Sequence, residues 1–162
     1  MERAKKKLSE SEAFNKLSAL CATAEYCCAD IRKKMANWEL PDGCEERIIR
    51  RLTEERYIDE SRYAKAFTRD KFRYNGWGTK RIERELSMKG IAGNLIEEAK
   101  TEIDDEENDD MLRKLIKSKQ RTVKGKSEYE VKAKLMRYAL SKGFTMDSIY
   151  RVIGDLDAYI EE

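Results

Sequence analysis

Histidine is absent from the 162 residues, and proline occurs once, at Pro41. Without histidine, the chain lacks the commonest general acid–base group and the commonest ligand of transition metals. Because it has only one proline and eight glycines, few residues break helices, which favours long helices over a sheet protein with many turns. Hydrophobic residues still make up 40%, enough to build cores between charged helix faces.

Cysteine is sparse, and all four cysteines lie in the first third of the chain: Cys21, Cys27, Cys28 and Cys44. Their spacing lacks the paired short intervals of a zinc site. We interpret them as reduced thiols, mostly buried, because a free cysteine packs as a small hydrophobe. A metal or redox site is the alternative.

Long apolar runs are missing as well. No window approaches the roughly 20 apolar residues of a membrane span, and no apolar stretch follows Lys5-Lys6-Lys7 as it would in a secretory signal. We therefore expect a soluble, cytoplasmic protein. The net charge is only +2, so any argument for a nucleic-acid partner must rest on local clusters of charge.

Three triplets of helices account for nearly the whole chain. Apolar residues at helical spacing predict a flexible tail at 1–9 followed by three-helix repeats at 10–55, 56–104 and 105–162. The second helices of the triplets align through Ile31, Met35 and Leu40, then Ile82, Leu86 and Ile91, then Leu135, Ala139 and Phe144. The period of about 50 residues is typical of helical arrays, in which neighbouring units share core. We predict an all-α fold of three tandem three-helix repeats in an elongated, curved array; a chance succession of helical hairpins is the alternative.

The middle repeat carries a specific pattern. Over residues 56–91 it reads Tyr57-Ile58-Asp59-Glu60, Tyr63-Ala64, Phe67, Gly76, Arg81-Ile82, Glu85-Leu86 and Lys89-Gly90-Ile91. This pattern resembles the core motif of the RecX family, and Lys142-Gly143-Phe144 resembles the end of that family's third repeat. The chain departs from the family at Glu39-Leu40-Pro41, where a glycine and an apolar residue are usual. Most motif residues have structural interpretations: Asp59 caps a helix, for example, and Gly90 ends one.

The resemblance implies a function without catalysis. RecX proteins bind the RecA recombinase and its DNA filament, and they mainly inhibit recombination and ATP hydrolysis in DNA repair and the SOS response. No cofactor and no metal are implied. We expect a monomer whose partners are the RecA filament and single-stranded DNA, the latter bound weakly or through the filament.

Charge is segregated along the chain although its sum is small. A first basic stripe, predicted to lie opposite the Tyr63 and Phe67 face, consists of Arg62, Lys65, Arg69 and Arg73 at i+3 and i+4 steps. A second basic segment supplies the other candidate DNA- or RecA-binding residues: Lys114, Lys117, Arg121, Lys124 and Arg137. Both could be ordinary solvated helix faces, or they could line a concave surface facing DNA phosphates. On the second interpretation, charge reversal at Arg69 and Arg73 weakens filament binding without unfolding.

Other functions stay open at this point. A helix-turn-helix DNA-binding protein is one alternative, although its recognition helix, 94–103, would be acidic. A helical-repeat adaptor that binds only protein is another. Trp77 could stack on an unpaired base, or it could pack on its own helices. An enzyme is disfavoured, because nothing pairs a nucleophile with a base.

Overall fold

The computed structural model describes residues 4–160, with side chains up to residue 154. Nine helices lie within this range and account for most of it. Their bounds are α1 (Glu10–Cys21), α2 (Cys28–Met35), α3 (Cys44–Glu54), α4 (Glu60–Asn75), α5 (Thr79–Met88), α6 (Gly93–Lys100), α7 (Asp105–Gln120), α8 (Glu128–Ser141) and α9 (Met146–Ile160). The predicted all-α fold is confirmed, and we call α1–α3, α4–α6 and α7–α9 repeats 1, 2 and 3.

Each repeat has its own hydrophobic core. The cores of repeats 1, 2 and 3 contain the fully buried side chains of Ile31, Leu86 and Leu112, respectively. Cys27, just before α2, packs in the core of repeat 2, and Met111 contacts the cores of both repeats 2 and 3. Neighbouring repeats therefore share apolar contacts, as stacked helical units must when each is too small to bury its own face.

The molecular surface is large for the chain's mass. Its accessible area is 10794 Å², whereas a compact monomer of 19.0 kDa would expose about 8400 Å². The excess agrees with the predicted elongation, since units that contact only their neighbours leave more surface exposed. Among residues 4–160, no helix is both long and apolar enough to cross a membrane.

The N-terminal segment differs from the predicted flexible tail. Strand β1 (Lys6–Lys7) pairs in parallel with β2 (Trp38–Glu39), and the Leu8 N–H donates to the Glu39 carbonyl at 3.1 Å. Leu8 is only 3% exposed and packs in the core of repeat 1. Residues 4–9 are therefore held by one buried leucine and a short backbone pairing. The sequence did not indicate this, because Leu8 is a single apolar residue after a run of lysines. Residues 1–3 lie outside the described range.

Ion pairs join repeats 1 and 2. Lys89 Nζ lies 2.8 Å from Asp30 Oδ1, and Arg62 Nε lies 2.5 Å from Glu25 Oε1. Burial alone would raise the pKa of Asp30, but hydrogen bonds from Lys89 and from the Cys27 N–H outweigh it and lower this pKa below its usual value. The contact between the first two repeats is therefore partly electrostatic.

The junction between repeats 1 and 2 should weaken in acid. Because the folded-state pKa of Asp30 is depressed, its contribution is present above the unfolded-state value of about 3.9 and is lost as pH falls through the lower folded-state value. We expect Asp30→Asn to lower the free energy of unfolding by about 1 kcal/mol at neutral pH. Urea unfolding of both proteins should show this difference shrinking towards about pH 3. A difference that stays constant with pH would contradict the ion-pair account.

Backbone contacts join repeats 2 and 3. The Gly78 N–H donates to the Lys142 carbonyl at 2.7 Å, and the Lys80 N–H donates to the Gly143 carbonyl at 2.9 Å. A Cβ atom on Gly143 would lie 2.4 Å from the Cβ of Arg81, closer than real Cβ contacts allow. The turn before α5 and the end of α8 therefore touch because both carry glycine. The sequence did not indicate that these two turns meet.

Candidate nucleic-acid interface

One face of α7 carries cations without acidic partners. Lys114, Lys117 and Arg121 follow one another at steps of three and four residues, so they lie on the side of the helix opposite buried Leu112 and Ile116. All three are exposed, and none forms an ion pair within the described part of the chain. Cations near a helix C-terminus are favoured by the helix dipole, which explains their position but does not neutralise their charge.

The two remaining candidates of this segment lie beside α7. Lys124 follows it in the loop, where its carbonyl accepts a hydrogen bond from Lys134 Nζ at 2.6 Å, and Arg137 lies on the solvent side of α8. Both are exposed, and neither side chain forms an ion pair among the described residues. We call Lys114, Lys117, Arg121, Lys124 and Arg137 the α7–α8 basic face.

The α4 stripe is largely engaged in ion pairs between elements. Arg62 pairs with Glu25 before α2, Lys65 Nζ lies 2.9 Å from Glu98 Oε1 of α6, and Arg69 Nη1 lies 3.1 Å from Glu102 Oε2. The hydrogen bond to Glu98 raises the pKa of Lys65. The acids of segment 94–103 thus serve as partners for α4, and three of the four predicted contact residues hold the fold together. Arg73 is exposed and forms no ion pair with any described residue.

This difference separates Arg69 from Arg73 in a mutational test. We expect Arg69→Glu to lower the free energy of unfolding by about 1 kcal/mol, since it removes an ion pair and places a second carboxylate beside Glu102. We expect Arg73→Glu to leave stability unchanged. Urea denaturation measures both, and equal effects would contradict the pairing. Arg73→Glu is therefore the cleaner test of filament contact by this stripe.

Trp77 packs on its own repeat, as the second of its two interpretations predicted. The ring is half-buried, and its centroid lies 6.2 Å from that of Phe67 in an edge-on arrangement. Arg81 Cζ lies 4.2 Å from the Trp77 centroid, and Lys71 Nζ lies 5.0 Å from it. Cations at these distances stabilise an aromatic ring through its quadrupole.

The cysteines are free thiols. Cys27 and Cys44 are buried, and Cys21 and Cys28 are half-buried. Burial is the largest cause that raises the pKa of all four thiols, to about 11 for Cys28. The thiols therefore stay protonated and weakly nucleophilic at neutral pH. No group of three or more side chains suited to holding a metal ion occurs among the residues that the structure describes.

Two sets of cations were missed by the sequence reasoning. Lys80 and Arg84 are exposed one turn apart on α5 and form no ion pair among the described residues; their i, i+4 spacing was a readable signal. The second set consists of Lys71 and Arg81, which both lie against Trp77 within repeat 2, and of Lys142, which joins them through the contact between repeats 2 and 3. No local spacing could have indicated it.

Comparison with known proteins agrees with this architecture. A protein-family model described as "RecX, second three-helix domain" matches residues 59–99, and one described as "RecX, third three-helix domain" matches residues 105–153. The crystal structure of RecX from Lactobacillus salivarius superposes with a TM-score of 0.81 over 92% of this chain and 97% of that chain, at 23% identity, which bears on the fold alone. A second structure, of "regulatory protein RecX", superposes at 0.81 with 25% identity, over 90% of this chain and 71% of that one.

Sequence relatives show the same kinship. The "Regulatory protein RecX" of Halalkalibacterium halodurans is 36% identical over 118 residues, covering 72% of this chain and 44% of the relative. That of Clostridium beijerinckii is 29% identical over 126 residues, covering 76% and 58%. The chain therefore spans about half the length of these relatives. The two domain models together match more than half of the chain, and the chain belongs to the RecX family of regulatory proteins.

Proposed function

We propose that this protein binds RecA and its DNA filament and mainly inhibits recombination and ATP hydrolysis in DNA repair and the SOS response. It acts in the cytoplasm as a monomer, and it does so by binding rather than by catalysis, with no cofactor. Membership of a family of regulatory proteins supports the regulatory part of the proposal. The contact with DNA is supported by charge.

The observation that carries the DNA contact is the unneutralised α7–α8 basic face. Lys114 and Lys117 project from one side of α7, and Arg121 continues that side from the C-cap, so their spacing is fixed before any ligand arrives. Phosphate contacts of this kind need lysine or arginine on a pre-set scaffold and carry no sequence preference. They also release counterions, which makes binding weaken steeply as salt rises.

The salt dependence of filament binding tests this proposal. Fluorescence anisotropy of labelled single-stranded DNA coated with RecA can be followed from about 50 to about 200 mM salt, with bare DNA as the comparison. Contacts from all five cations of the α7–α8 basic face would give a slope of about −3.5 in log affinity against log salt on a single strand. Tight binding with no salt dependence would instead indicate an adaptor that contacts only protein.

The helix-turn-helix alternative has less support in the structure. The helix that would read bases, α6, places Glu98 against Lys65 and pairs its one cation, Lys100, with Glu83 and Glu97. A helix whose cation is already paired and whose other charged residues are acidic is poorly suited to a groove lined by phosphates.

A further inference from the structure

Two cations lie against the Trp77 ring, and a third, Lys142, lies at the same junction between repeats. Arg81 and Lys71 approach its ring, and Lys142 Nζ donates to the Asn75 carbonyl at 2.7 Å. None of the three forms an ion pair with a carboxylate of the described residues. Burial first, and then the charge of Arg81, lowers the pKa of Lys142. Like charges are therefore held together at the junction of repeats 2 and 3 without a paired carboxylate from the described side chains.

One donor of this cluster has no acceptor. Arg81 Nε is buried from solvent and lacks a hydrogen-bond partner. A buried donor left without a partner is costly, so such an atom calls for an explanation such as a ligand. The position of Arg81 is fixed, since Gly143 packs directly against its backbone and the neighbouring Lys80 N–H is bonded to the Gly143 carbonyl. The cluster is thus pre-organised for an anion.

An aromatic groove adjoins the cluster along α4. It is an open groove of about 460 Å³. Its lining includes Phe67, Asp70, Lys71, Tyr74 and Asn75, so it shares Lys71 with the cation cluster and also carries the carboxylate of Asp70. Asn75 is the residue that Lys142 contacts. Tyr74 is 84% exposed, so packing within the protein does not explain why an aromatic residue occupies this position.

The other end of the groove offers an acceptor. Glu25 lines it, and Glu25 Oε2 is buried without a hydrogen-bond partner, while the other oxygen of the same carboxylate accepts from Arg62. Within the described side chains, these two atoms, Glu25 Oε2 and Arg81 Nε, are the ones that are buried and unsatisfied. One end of the groove therefore carries an acceptor without a hydrogen-bond partner, Glu25 Oε2. The other end adjoins the cation cluster, in which the Arg81 Nε donor lacks a partner.

We propose that the groove and the cation cluster, together called the Trp77 site, bind unpaired nucleotides of single-stranded DNA. A phosphate fits between Lys71, Arg81 and Lys142. One base stacks on exposed Tyr74, and the N–H groups of a second base, further along the groove, supply the donor that Glu25 lacks. Aromatic rings interleaved with cations are the usual means of holding a single strand without sequence preference. This inference deepens the proposed function and rests on it for the identity of the nucleic acid.

Trp77 itself reports on the proposed site. The chain has two tryptophans, so a Trp38→Phe variant leaves Trp77 as the one indole whose fluorescence changes. We expect a saturable change on titration with an oligothymidylate single strand at low salt. In that background Tyr74→Ala and Lys71→Gln should each weaken binding by about tenfold. Tyr150→Ala, which removes another exposed tyrosine, and Lys16→Gln, which removes another exposed lysine, should leave affinity unchanged.

The outcomes separate this site from the wider proposal. Oligonucleotide binding that is insensitive to Tyr74→Ala and Lys71→Gln would overturn the Trp77 site while leaving the α7–α8 basic face as the contact. Absence of oligonucleotide binding would also overturn the Trp77 site. The effect of this protein on ATP hydrolysis by RecA would then test the proposed function independently. Titration with ATP and with tripolyphosphate tests whether the cation cluster binds the phosphates of a small molecule instead of those of DNA. Binding of either without binding of the oligonucleotide would overturn single-stranded DNA as the ligand.

Discussion

Replacing Lys114, Lys117 and Arg121 together by glutamate should weaken binding to the RecA filament on single-stranded DNA by on the order of 100-fold at moderate salt. The three side chains share one exposed face of α7 and have no acidic partner among the described residues, so their loss costs no ion pair in the fold. The magnitude of the salt slope should fall by about 2, since three phosphate contacts disappear. Anisotropy of labelled filaments at several salt concentrations measures both quantities.

A matched control separates position from net charge. Lys16, Lys33 and Arg50 in repeat 1 are also exposed and form no ion pair with a described residue, so their reversal changes net charge by the same amount. We expect this variant to bind nearly as the native protein does. Equal weakening by both triple variants would show that overall charge, rather than the α7–α8 basic face, governs binding. Unfolding in urea should be similar for both.

Gly143→Ala is expected to be strongly destabilising, at about 2–5 kcal/mol of unfolding free energy. Gly143 has a φ of +96°, a conformation that costs an alanine strain, and the added Cβ would lie 2.4 Å from the Cβ of Arg81. The methyl group must therefore push repeat 3 away from the turn before α5. Urea unfolding gives the free energy.

Gly90→Ala is the control for backbone strain alone. Gly90 also has a positive φ, +78°, but an added Cβ there would meet nothing within 4 Å. We expect its cost to be about 1 kcal/mol, from strain without a clash. Equal costs at both positions would mean that the contact between repeats 2 and 3 yields easily, which contradicts the close backbone packing described above.

The fold was largely predictable because its signals are local. Helical spacing of apolar residues, the Asp59 cap and the terminal glycines lie within a few residues of the features they determine. Asp59 Oδ1 accepts from the Arg62 N–H at 3.0 Å, as the predicted cap requires, and Gly90 follows the end of α5, as predicted, with a positive φ of +78°. The N-terminal segment was missed because Leu8 is held by Glu39, a partner far along the chain.

The candidate interface was less predictable for the same reason. Spacing correctly placed Lys114 and Lys117 on an exposed helix face. It placed Arg69 similarly, but Arg69 pairs with Glu102, 33 residues away. A charge pattern shows which residues share a helix face, whereas their neutralisation depends on which helix packs against that face. The Trp77 site depends on a contact between repeats and was invisible to any local pattern.

ATP hydrolysis by RecA from the same organism on single-stranded DNA, titrated with this protein, tests the central claim most directly. The account predicts inhibition at ratios well below one protein per RecA subunit, and loss of that inhibition in the α7 triple variant. No change in hydrolysis, even with excess protein at low salt, would contradict the proposal that this chain regulates RecA, and would favour an adaptor with other partners.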